Sequence, residues 1–219
     1  MKKILSSLLL LLPLLVAAQA EPGTYILVDN RQVVYRGDLT ITGQRIVSRE
    51  AGSKKKKWQA SEVYWAGVGK RHYLPVGGFQ TTPSPYSRVE RGLAEILDSG
   101  RVTLLRYDYE VKNMSSGMGA GSTGIPMAYS ATKSVYLLQI PTEEDAQAIP
   151  MNLLSGKGTE FRQMLAPYFS SRPDLLELLQ KGEISRRNLA AFVHALNAKQ
   201  AYVAPHSESA GPPADITTD

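Results

Sequence analysis

Residues 86–111, YSRVERGLAEILDSGRVTLLRYDYEV, contain the change of period on which the fold reading turns. Val89, Leu93, Ile96 and Leu97 are spaced i, i+4, i+7 and i+8, which places them on one side of a helix. Arg91, Glu95 and Asp98 fall on the other side, facing water. Read as a strand, the stretch would put Arg91 and Glu95 on the face of Val89 and Leu93, so the spacing predicts a helix over 87–98. Gly100 then suits a left-handed C-cap. Gly92 inside this helix is unfavourable by about 1 kcal/mol against Ala; it borders the apolar side, where another backbone could pack closely. After Gly100 the period becomes two. Leu105, Tyr107, Tyr109 and Val111 alternate with Arg106, Asp108, Glu110 and Lys112, as in a half-buried strand.

Upstream, residues 1–20 read as an export signal. Lys2 and Lys3 form a basic start, Ile4 to Val16 is mostly apolar, and Ala18-Gln19-Ala20 is a small-x-small cleavage site before Glu21. The apolar run falls short of the ~20 residues that span a bilayer, so no transmembrane anchor is expected in the mature chain. The chain has no cysteine, which excludes disulfides, thiolate metal sites, cysteine nucleophiles and a lipidated cysteine. The expected location is periplasmic, cell-surface or extracellular.

Removing the signal takes away Lys2 and Lys3 and no acid, so the formal charge falls from +5 to +3. Charge is concentrated in residues 29–73, where ten Lys and Arg face Asp29, Asp38, Glu50 and Glu62. Outside the cytoplasm such a bias favours an envelope protein or an anionic surface polymer over nucleic acid.

Residues 24–76 carry short β-rich runs between turns: Tyr25 to Val28, Gln32 to Tyr35, Leu39 to Ile41, Ile46-Val47, Trp58 to Ala60, Val63 to Ala66 and Arg71 to Val76. They predict an antiparallel meander or a small barrel-like sheet. Thr81 to Pro85 is a linker by composition. Strands at 102–111 and 133–140 should pair as a long hairpin, with the Gly-, Ser- and Met-rich 113–131 as its flexible tip. Three helical stretches follow. Phe161, Met164, Leu165, Tyr168 and Phe169 share a face; Pro173 opens the run Leu175 to Leu179, closed by Lys181-Gly182; Leu189, Phe192, Val193 and Leu196 share a face after a possible Ser185 N-cap. The fold class is therefore α+β. A β-rich domain spans 21–140, a helical segment spans 141–202 and packs on the sheet, and a proline-rich tail spans 203–219.

Chemistry is sparse. The three histidines, His72, His194 and His206, lie in different elements, and His194 falls opposite the apolar face of its helix. No G-x-S-x-G, H-E-x-x-H, P-loop or paired dinucleotide-binding glycine motif is present, and no cofactor or metal is assigned. Gly117 to Gly121 does not open a helix, as a phosphate cradle requires, and Glu143-Glu144-Asp145 lacks an obvious fourth cation ligand. Lys54, Lys55, Lys56 and Lys57 followed by Trp58 form the one charged feature with a binding reading, since cations beside an aromatic can hold sugars or anionic headgroups. The bland alternative is a solvated hairpin tip whose lysines discourage strand pairing. Trp58, Tyr64, Trp65 and Tyr73 read as core aromatics of a small β unit.

A short-strand meander, then VERGLAEILDSGRVTLLRYDY at 89–109, then paired helices over 161–197, with FRQMLAPYFSSRPDLLELLQKG at 161–182 and LAAFVHALN at 189–197, resembles a broad group of uncharacterised exported bacterial proteins. The resemblance implies export and envelope association and carries no functional residues. Members often have a cysteine before the proline of the penultimate helix, where this chain has Arg172. Three functional readings follow: a non-enzymatic exported protein that binds another macromolecule, a binding module for an anionic glycan or lipid headgroup, and a hydrolase with an unrecognised site near His72.

Overall fold

The computed structural model describes residues 20–50, 52–82, 84–115, 127–141, 145–149 and 158–205. The stretch read above as an export signal, up to residue 19, the centre of the glycine-rich segment (116–126), Glu143 and Glu144, and the tail from His206 lie outside the described residues.

Among the described residues twelve strands and three α-helices are formed. In chain order the strands are β1 (Glu21–Leu27), β2 (Tyr35–Ile41), β3 (Arg45–Arg49), β4 (Lys56–Gln59), β5 (Val63–Val68), β6 (Arg71–Val76), β7 (Phe79–Gln80), β8 (Arg88–Val89), β9 (Gly92–Asp98), β10 (Thr103–Ser115), β11 (Met127–Gln139) and β12 (Gln147–Ile149). The helices are α1 (Thr159–Phe169), α2 (Pro173–Gln180) and α3 (Leu189–Asn197). Ten strands form one antiparallel sheet in the order β12-β11-β10-β9-β6-β5-β1-β2-β3-β4, and β7 pairs with β8 in a separate ribbon. The α+β class, the meander and the three C-terminal helices are as expected. The sheet curls without closing into a barrel. The β2–β3 turn reaches β9, where the Leu93 amide donates to the Gly43 carbonyl at 2.8 Å, while β4 and β12 remain its two edges.

The helix expected over 87–98 is not formed; the segment is a 3-10 turn (Pro85–Ser87), the short β8, and the strand β9. The physical reason is that β9 is covered on both sides. Leu93, Ala94 and Glu95 are consecutive, point to alternate faces, and are only 2%, 0% and 9% exposed. Leu93 joins the core under β1–β5, and Ala94 the core under the β7–β8 ribbon. A strand buried on both faces has no polar alternation to show, and its apolar run mimics a helix face. The charge that argued against a strand is neutralised across the sheet: Arg106 of β10 reaches the Glu95 carboxylate at 2.6 Å. The close approach anticipated at Gly92 is real. A Cβ there would lie 2.5 Å from the Tyr107 ring and 2.9 Å from the Gly43 carbonyl.

The hairpin expected from 102–111 and 133–140 is present and longer, its register running from Thr103↔Gln139 to Ser115↔Met127. β9 supports it only at Leu104 to Arg106, and β12 only at Tyr136 to Leu138, so its outer half extends as a two-stranded arm.

Three cores organise the molecule. One lies under β1–β5 (Tyr25, Leu39, Ile46, Ala66). A second lies under the ribbon (Phe79, Leu105, Tyr107, Leu137). The third joins the helices to the other face of β10–β12 through Leu104, Leu138 and Ile149. There Phe192 stacks on Phe169 at 4.3 Å, both fully buried. Helix α3 starts at Leu189 with Asn188, not Ser185, at its N-cap. The Asn188 side chain instead closes the preceding turn, accepting from the Ser185 amide at 2.6 Å and donating to the Glu183 carbonyl. Its other end is clamped to the β9–β10 turn. Asn197 Nδ2 donates to Asp98 and to the Val102 carbonyl, and Asn197 Oδ1 accepts from the Val102 amide at 3.0 Å. Arg172 pairs with Asp174 at 2.6 Å and also donates to the Ala195 and Gln200 carbonyls, tying the start of α2 to the end of α3. The hydrogen bonds from Arg172 hold the Asp174 carboxyl below the usual carboxylate range. Among the described residues no helix is long and apolar enough to cross a membrane.

Candidate ligand-binding site

The site is built on β1, β2, β5 and β6, on the face opposite the first core. Tyr25 pairs with Tyr35 and Ala66, and these point inward. The next row points outward: His72 pairs with Gly67, Gly67 with Thr24, and Thr24 with Arg36. Beside it Pro22 pairs with Asp38, and Asp38 with Arg49.

A β-bulge decides the character of this face. Leu27 pairs with Val63 and Ile26 with Trp65, so the register shifts by one residue at Tyr64. Val63 and Ala66 are fully buried, and the two residues between them stay on the outside: Tyr64 is 44% exposed and Trp65 half-buried. An extra residue of this kind re-aims the side chains next to it. The benzenoid edge of Trp65 folds over Gly67, where an added Cβ would lie 2.6 Å from Trp65 Cη2. Glycine is therefore required for the indole to lie along the sheet. His72 flanks the indole, with ring centres 5.4 Å apart at 45°, and Arg31 sits 4.5 Å over the Tyr64 ring further along the strand.

Trp65, His72, Thr24, Arg36 and Asp38 line an open trough of about 970 Å³, with Arg49 and Glu50 on its far side. That is the upper end of ordinary ligand-site volumes, and the openness suits a piece of a longer molecule. The side chains of Arg36, Asp38 and Arg49 make no hydrogen bond or ion pair among the described residues, whereas Glu50 is 3.5 Å from Lys56. A smaller cleft of about 520 Å³ lies at Arg88 to Arg91 and Tyr107; there Arg88 is already paired with Glu90 at 2.8 Å.

The lysine–tryptophan feature does not form one platform. Lys54 and Lys55 precede β4 and are exposed, while Lys57 pairs with Val47 and Trp58 with Ile46, on alternate faces of the edge strand. Trp58 packs on the first core and donates from Nε1 to the Tyr25 hydroxyl at 3.2 Å. The aromatics on the outer face are Tyr64 and Trp65. The spacing of 63–68 does not show which face each takes, because the bulge puts Val63 inside together with Ala66 and Val68.

His72 contacts the Trp65 ring and makes no hydrogen bond to a carboxylate or hydroxyl among the described residues. His194, expected to be solvated, has an exposed ring whose Nδ1 lies 2.7 Å from Asp98 Oδ2. Among the described residues no group of three or more His, Asp and Glu is arranged to hold a metal ion. Comparison with known proteins returned no matching family model, no matching curated protein and no matching solved structure.

Proposed function

We propose that this chain is an exported, non-enzymatic protein that binds another macromolecule along the outer face of β2, β1, β5 and β6. The observation that carries the reading is Trp65 itself, which alternation with the buried Ala66 and Val68 turns outward, next to the bulge at Tyr64 and over a residue that has to be glycine. An indole held on a sheet surface beside unpaired guanidinium and carboxylate groups is a contact surface with apolar and polar parts, the combination found at recognition sites. The basic cleavable leader supports export. The experiment compares mature protein and Trp65→Ala on a column, with envelope fractions passed over both. Retention of the same species by the parent and its loss in the variant, at unchanged melting temperature, supports the reading. Equal retention by both overturns it.

A further inference from the structure

Resting on that reading, we propose that the ligand is a carbohydrate polymer of neutral sugars, with one sugar ring stacked on Trp65 and its hydroxyls bonded by Arg36, Asp38 and Arg49. Three observations lead there. First, the indole lies along the sheet over Gly67 and next to His72, which fixes a flat apolar plate at the trough floor. The C–H face of a pyranose is flat and apolar and fits such a plate, whereas a lipid chain would need a deeper apolar slot.

Second, the polar groups around the plate are of both kinds. A sugar hydroxyl donates one hydrogen bond and accepts others, so it is served by guanidinium donors next to carboxylate acceptors. A phosphate or carboxylate ligand would be served by donors alone. Here Asp38 stands between Arg36, two residues away on its own strand, and Arg49, its cross-strand partner, and Glu50 follows Arg49. Two arginines and two carboxylates cancel, so the trough itself does not share the basic excess of the surrounding sequence. Third, the side chains of Arg36, Asp38 and Arg49 have no hydrogen-bond or ion-pair partner among the described residues and can bond a ligand, and the trough is open enough for a chain to pass across it.

The chain has two tryptophans, Trp58 and Trp65, so Trp58→Phe leaves Trp65 as the sole indole reporter. The mature protein with that change is titrated with cellohexaose, chitohexaose and laminarin as neutral probes, with polygalacturonate and heparin as anionic ones, and with phosphatidylglycerol vesicles. The expected result is a saturable shift of Trp65 emission with at least one neutral probe. Its affinity should change less than about twofold between about 50 and about 300 mM salt, and drop at least about tenfold in Asp38→Asn. Affinity electrophoresis of parent and Trp65→Ala through gels containing the same polymers gives the same answer should Trp58→Phe fold poorly. Binding of only the anionic probes, falling steeply with salt, overturns the neutral-sugar assignment while leaving the trough as the site. So does the absence of neutral-probe binding when Trp65→Ala still loses envelope material. If Trp65→Ala loses nothing in any assay, both the assignment and the reading beneath it fall.

Discussion

The two ends of the sheet are built differently. At the β9–β12 end both faces are covered, by the helices on one side and the β7–β8 ribbon on the other, so that Leu104 and Leu105, adjacent in sequence, are both fully buried. At the β1–β6 end one face closes over a core and the other carries Trp65, His72 and Arg36 in the open. Side chains at the covered end are fixed by packing, and their replacement is felt as stability. Outer side chains at the open end contribute little to stability and are free for recognition. This difference is the physical reason for placing the site where it is.

The largest effect is expected where both faces are covered. Phe192→Ala removes a ring stacked on Phe169 and set edge-on to Tyr202, and should destabilise by about 3–5 kcal/mol in denaturant unfolding. A loss below about 1 kcal/mol would mean that the helices are not a structural cover. Asn197→Ala removes the clamp on the β9–β10 turn and leaves the Val102 amide and carbonyl without those partners; it should lower stability by about 1–3 kcal/mol in the same measurement.

Two glycines on adjacent strands separate the faces directly. At Gly23, on the inner face, a Cβ would meet the Gly67 carbonyl at 2.5 Å and Leu39 at 2.8 Å, which are backbone and core. Gly23→Ala should destabilise by about 1–3 kcal/mol. Gly67→Ala meets only the far edge of Trp65, so it should tilt the indole away at a loss of less than about 1 kcal/mol and still abolish polymer binding. Thermal melts with binding assays check both; equal destabilisation would erase the distinction.

The smallest effect is alkaline. Burial raises the Tyr107 phenol above its ordinary value, and burial followed by the nearby Glu95 carboxylate raises that of Tyr73. A group whose folded-state pKa is raised gives stability that is complete below about 10 and is lost as pH rises through the folded value. Phenolate absorbance should therefore show tyrosines ionising late, with melting temperature falling above that pH. Ionisation of all eleven tyrosines in one early step would contradict it.

Much of the architecture was legible in the sequence wherever an element keeps one face wet. The helix stripes ending in Phe169, Leu179 and Leu196 and the alternation of 105–111 need no tertiary context. β9 was not legible, since its neighbours bury both faces and neutralise Glu95 through Arg106, a residue eleven positions away. The site was hidden for a related reason. Trp58 stood out beside four lysines, but alternation turns it to the core, while Trp65 lies outside because Ala66 and Val68 take the inner face, and the bulge that puts Val63 inside as well shows only in the pairing of β1 with β5. His72, named only in the third, hydrolase reading, has an aromatic neighbour in the fold.

The most direct test of the claim that recognition occupies the open end is amide hydrogen exchange with and without saturating laminarin, or whichever neutral polymer shifts Trp65 emission. The expected result is added protection in peptides covering 21–27, 35–41 and 63–76, with none in 159–197. Protection confined to the helices or to the β10–β11 hairpin, at saturation, would contradict it.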